Sequence, residues 1–173
     1  MKIQTTRKFN YEHNLKCNLS DQMINGQGMG DVSKLKFGLF QMSFNGCEVI
    51  SVYNALRYVG KPQPLQEVAF FLEKYRVLLG TFGCNVFRLG KALRKFGANY
   101  ERVKEIGDTP AFIVSFWTGK PFFSSIHTVF CTREGNRIKI YNRYNNCNTI
   151  RYADSLEELS KNRKPLAIYA IKK

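Results

Sequence analysis

Hydrophobic and polar positions follow two different periods along this chain, and the change falls near its middle. From Cys47 to Val59 the polar residues Glu48, Ser51, Asn54 and Arg57 recur every third position in an otherwise apolar run. That pattern predicts a helix buried around most of its circumference. Asn45-Gly46 precedes it as a cap or turn, and Gly60 stands at the position after its C-terminus. A second helix is predicted after Lys-Pro-Gln-Pro, with Pro64 in its first turn and Leu65, Val68, Ala69 and Leu72 on its inner face. Asn85 caps a third, which turns Val86, Leu89, Gly90 and Leu93 inward and stops at Gly97.

After Pro110 the period becomes that of strands. Ala111–Trp117 is an apolar run, Thr128–Thr132 and Arg137–Tyr141 flank a turn at residues 133–136, and Leu166–Ile171 is a last strand. Ser155-Leu156-Glu157-Glu158 is a capping box for a short helix. Helices followed by strands predict an α+β fold with N-terminal helices packed on a C-terminal antiparallel sheet. Residues 1–36 are polar, hold Gly26, Gly28 and Gly30, and show no sustained period, so they are read as a peripheral N-terminal arm before a domain spanning 37–173.

Composition narrows the classes. With 173 residues, 44% of them hydrophobic, the chain is long enough for one full core without a disulfide or metal staple. No apolar run is long enough for a membrane span and the first ten residues lack a signal-peptide pattern, which predicts a cytoplasmic protein. Lys plus Arg number 27 against 13 Asp plus Glu, a net charge of +14. Such an excess favours acidic partners, but these charges are scattered, so only weak, nonspecific nucleic-acid binding is expected. Five cysteines at irregular spacing, two histidines and no Cys-x-x-Cys pair argue against zinc, and no cofactor is expected.

Two histidines and five cysteines leave few routes to nucleophilic chemistry. His13 and Cys17 lie in the arm, Cys131 is read as core, and Cys84 has nothing upstream resembling an oxyanion donor. Cys47 stands in the first turn of the buried helix, where the dipole and free N–H groups favour a thiolate. Gly46 allows a substrate backbone to approach. Gln41, six residues upstream, is placed to offer its amide to an oxyanion. A four-residue turn at 133–136 sets His127 opposite Asn142, whereas a two-residue turn at Gly135-Asn136 opposes Tyr144 and leaves Asn142 diagonal. Either register keeps an amide near the imidazole, as an orienting third group requires.

The order Gln41, Cys47 on a central helix, His127 opening one strand and Asn142 closing the next resembles papain-like cysteine peptidases. The stretches QMSFNGCEVISVYNALRYVGK, GTFGCNVFRLGKALRKFGA, PAFIVSFW and HTVFCTREGNRIKIYNRY are most similar to the compact bacterial branch that includes bacteriocin leader-processing peptidases. The resemblance implies a papain-like fold, a peptide or protein substrate, which the basic surface suggests is acidic, and no cofactor. It implies Cys47 as nucleophile, His127 as base and later acid, Asn142 as orienter and Gln41 as oxyanion donor. The same triad serves an acyl or amide transferase, and the fold also serves non-catalytic binding proteins. Two departures stand out: Glu48 replaces the glycine usual after the cysteine, and Asn142-Arg143 replaces Asp-Pro. A carboxylate at 48 opposes thiolate formation unless it points to solvent.

Overall fold

The computed structural model describes residues 3–119 and 125–173. Met1 and Lys2, the start of the expected arm, lie outside the described residues. Among the described residues six α-helices run in chain order: α1 (Ile3–Asn14), α2 (Met42–Asn45), α3 (Cys47–Tyr58), α4 (Leu65–Leu72), α5 (Leu89–Lys95) and α6 (Leu156–Ser160). A small hairpin, β1 (Lys36–Phe37) with β2 (Phe40–Gln41), leads into α2. The main sheet holds β3 (Asn99–Val103), β4 (Ala111–Thr118), β5 (Ser125–Glu134), β6 (Arg137–Tyr141), β7 (Arg151–Ala153) and β8 (Ala167–Lys172). Its order is β3-β8-β4-β5-β6-β7, and every adjacent pair is antiparallel.

Helices α3, α4 and α5 cover one face of the sheet. Ile50, Leu56, Leu72 and Leu93 meet Ile113, Phe130 and Tyr169 there, while the alternate residues Phe112, Val114, Cys131 and Ile168 turn to the other face with Leu159 of α6. The period of two in the strands thus feeds two cores, one on each side. The Asn85 side chain accepts from the Phe87 N–H and so caps a 3-10 turn, Val86–Arg88, that leads into α5, whose own N-cap is Arg88; Gly97 follows α5 at φ +80°. Only half of the predicted capping box forms at α6. Ser155 accepts from the Glu158 N–H, but the Glu158 carboxylate reaches back to Asp154 rather than to the cap residue.

The arm is integrated into the body, contrary to its reading as peripheral. Its polar pattern conceals helix α1, whose Asn10 donates to the Gly38 carbonyl (2.7 Å) and to the Glu73 carboxylate (2.6 Å), both buried. Asn14 likewise pairs with both backbone groups of Lys36. Further along, Asn54 of α3 exchanges two 2.9 Å hydrogen bonds with the backbone of Ile24. The second half of the polar stripe of α3, Asn54 and Arg57, thus meets the arm at Ile24 and Asp21. No helix among the described residues is long and apolar enough to cross a membrane.

Candidate active site

A cleft of about 490 Å³ opens where the start of α3 meets β5, and Cys47, Glu48, Asn45, His127 and Gln27 are among its lining residues. Cys47 is the first residue of α3. Its thiol is buried, and burial pushes its pKa well up. The neighbouring Glu48 carboxyl raises it further, and the Thr128 backbone N–H acts in the opposite direction. Glu48 is itself buried, facing Gly83 rather than solvent. Desolvation pushes its carboxyl up to about 7, against the backbone N–H groups of Glu48 and Cys84 and the Cys47 thiol, which favour the anion. The helix-start thiolate expected from the sequence is therefore absent from the resting site.

His127 reaches the cleft from β5. The hairpin takes the two-residue turn: Glu134 pairs with Arg137, and Gly135 adopts φ +61°. Pairing runs out at Phe130–Tyr141, after which Asn142 enters the left-handed region at φ +61°. Asparagine tolerates that conformation better than other residues with a Cβ. Its backbone carbonyl lies 2.8 Å from His127 Nε2. A carbonyl only accepts, so Nε2 carries the proton and Nδ1 keeps its lone pair. Burial lowers the His127 pKa to about 4, with the Arg143 charge adding and the Asn142 and Arg143 backbone opposing. The ring is neutral at physiological pH.

Asn142 thus meets the histidine through its main chain, whereas the sequence suggested its amide. That amide points the other way, into the arm. Its Oδ1 accepts from the Gln27 N–H (2.9 Å) and its Nδ2 donates to Gln27 Oε1 (2.8 Å). Gln27 Nε2 in turn donates to the Ser43 carbonyl, beside the loop that begins α3. Close approach of the arm to residues 145–146 depends on Gly28, where a Cβ would come within 2.2 Å of Asn146 Oδ1.

Gln41 is not brought to the cleft. It ends β2, pairs with Lys36 and is exposed at the N-cap of α2. The six-residue spacing to Cys47 is taken up by the separate turn of α2, which breaks the expected geometry. His13 Nε2 contacts the Lys34 carbonyl, and neither it nor Cys17, Cys84, Cys131 or Cys147 lines the cleft. Gln27 escaped the sequence reading, and Asn45 entered it only as part of a cap or turn; the only signal for Gln27 was its place between two glycines. Among the described residues no group of three or more His, Cys, Asp or Glu side chains is arranged to hold a metal ion.

No family model matches the chain, and no curated protein matches it. Solved structures do, among them two peptidase structures. One is a double-glycine motif protease from an AMS/PCAT transporter in complex with the leader peptide, at TM-score 0.50 and 18% identity over 73% of this chain and 83% of that one. The other is the peptidase domain of Streptococcus ComA, a bifunctional ABC transporter involved in a quorum-sensing pathway, at TM-score 0.53 and 15% identity over 79% and 97%. The fold is papain-like. The helices-on-antiparallel-sheet architecture is shared with both of these peptidase structures.

Proposed function

We propose that the chain is a cysteine-type hydrolase that cleaves a peptide or amide bond, with Cys47 as nucleophile and His127 as base. The observation that carries this reading is the meeting of two groups in one cleft. A cysteine begins a buried helix, and a neutral histidine has its Nε2 proton already committed to the Asn142 carbonyl. The free Nδ1 lone pair is the proton acceptor. As the sulfur attacks the carbonyl carbon, the thiol proton passes to Nδ1 and a C–S bond forms. His127 then returns that proton to the departing amine as the C–N bond breaks, and water hydrolyses the thioester. Because burial disfavours a resting ion pair here, proton transfer accompanies the attack. First-turn N–H groups of α3, which have no partner within the helix, serve as oxyanion donors in place of Gln41. Asn142 holds the imidazole by its main chain.

A peptide substrate fits the fold neighbours, one of which was solved with a leader peptide bound. The test is cleavage of a peptide library by the parent chain, with intact-mass detection of an acyl adduct. Cys47→Ala and His127→Ala should each abolish cleavage, and the double variant should be no worse than either. Cleavage surviving in Cys47→Ala would overturn the reading. Binding of peptides without any adduct or cleavage would favour the non-catalytic papain-fold module.

A further inference from the structure

Two acceptor atoms in the cleft residues beside the thiol have no hydrogen-bond partner among the described residues: Glu48 Oε2 and Asn45 Oδ1. Glu48 is 1% exposed and Asn45 4%. The orientation of the Asn45 amide is fixed, because its nitrogen donates to the carbonyls of Phe37 (2.9 Å) and Gly80 (2.7 Å). Its oxygen cannot be exchanged for a donor. Gly83 lies against the carboxylate: a Cβ there would come within 2.5 Å of Glu48 Oε2, and its φ is +62°. Two free acceptor atoms are matched by a group rich in donors. An ammonium, with three N–H bonds and no lone pair, is such a group. Phe44, Phe82 and Tyr144, all partly exposed, also line the cleft, and aromatic faces attract cations.

We propose that this cleft recognises an ammonium group carried by the substrate next to the bond facing Cys47, with Glu48 and Asn45 as its acceptors. The inference rests on the hydrolase reading only in calling the ammonium carrier a substrate. Glu48 is the one carboxylate among the described lining residues. Of the two cations there, Arg143 is stacked over the Phe116 and Tyr144 rings at 5.3 and 6.0 Å, and Lys161 is exposed. They leave the carboxylate itself unpaired.

The test compares modification of Cys47 by the cationic reagent 2-aminoethyl methanethiosulfonate and the neutral methyl methanethiosulfonate, resolved by peptide mass spectrometry at pH 8. Divided by the same ratio for a small free thiol, the ratio of the two rates cancels both the fraction of thiolate and the reagents' intrinsic reactivities, so it reports the local field. A carboxylate close to the sulfur should favour the cation by about tenfold. In Glu48→Gln the ratio should fall towards one. The same fall should appear in the parent protein at pH 5.5, where the carboxyl, whose pKa is about 7, has taken up its proton. That arm needs no variant. Among the other groups around it, His127 is neutral at both pH values, the Cys47 and Cys84 thiols are held up by burial, and the cations are Arg143 and Lys161. Protection of Cys47 by acetyl-lysine amide would assign the ammonium to a side chain, and by glycinamide to a chain terminus. A ratio of one in the parent at pH 8, or an unchanged ratio in Glu48→Gln, would mean that the acceptors hold a resident water only and would overturn the proposal. Neither rate involves His127 or turnover, so failure here is distinct from failure of the hydrolase reading.

Discussion

Replacing Asn142 separates a structural role from a chemical one. In Asn142→Ala the acceptor for His127 survives, because it is a main-chain carbonyl. Two buried hydrogen bonds to Gln27 do not survive, and the new residue must hold φ +61°. A left-handed conformation costs a residue with a Cβ about 1 kcal/mol. Leaving the Gln27 N–H and Oε1 unpaired costs about 1–1.5 kcal/mol each at the lower end of the usual range. The sum is about 3–4 kcal/mol, which for a chain of this size is a fall in Tm of roughly 6–16 °C. Asn142→Gly, free of the backbone penalty, should recover about 1 kcal/mol of that loss. Urea unfolding of the three proteins gives the stabilities, and cleavage by the folded fraction gives the chemistry. Turnover per folded molecule should stay within about tenfold of the parent, far above His127→Ala. A variant as stable as the parent, or a folded one as inactive as His127→Ala, would refute the main-chain assignment.

Iodoacetamide should label Cys147 before Cys47 at pH 7, because Thr149 and Arg151 lower the Cys147 thiol while burial and Glu48 raise that of Cys47; site-resolved labelling in the reverse order would contradict this. Stability should be nearly flat between about pH 4.5 and 6.5. There the unfolded chain binds the extra proton at His127, whose folded pKa is lowered from 6.5 to about 4, while the folded chain binds one at Glu48, raised from 4.5 to about 7. In Glu48→Gln that opposing contribution is lost, so the slope of stability against pH should become more positive than the parent's, by up to about 1.4 kcal/mol per unit across that window; denaturant titrations showing the same slope in both would refute the pairing. Asn10→Ala should destabilise by about 1–3 kcal/mol, since it removes donors to the Gly38 carbonyl and the buried Glu73 carboxylate. A change below 0.5 kcal/mol in urea unfolding, on the order of ordinary surface substitutions, would return α1 to the role of a surface appendage.

The elements that the sequence revealed are those whose burial is one-sided or complete. Helix α3 announces itself through its apolar circumference, and β4 and β8 through unbroken apolar runs. Strand β3 did not, because it lies at a sheet edge with three of its five residues exposed and so lacks alternation. Helix α1 was hidden for a related reason: its contacts with the body run through Asn10 and Asn14, and polar anchors leave no hydrophobic stripe. Cys47 and His127 were legible as residue types in a plausible order. Which atom of Asn142 faces the histidine was not, because that depends on a single left-handed residue beyond the end of a strand.

Glu48 carries the same lesson into energetics. A cysteine at a helix start gains about 0.3–1 kcal/mol towards its thiolate from the dipole, and at most about 2 in buried settings. Removing an ion fully from water opposes ionisation by up to about 4–7 kcal/mol. The sequence displays the first effect, since capping glycines and helix periodicity can be read directly. The second appears only when the arm, β5 and the Gly83 loop close around the sulfur and place a carboxyl beside it. Burial is the larger effect, so the resting cysteine is a thiol. On the proposed reading His127 takes the thiol proton only as the peptide carbonyl arrives, and an ammonium seated on Glu48 would remove the opposing charge at that moment.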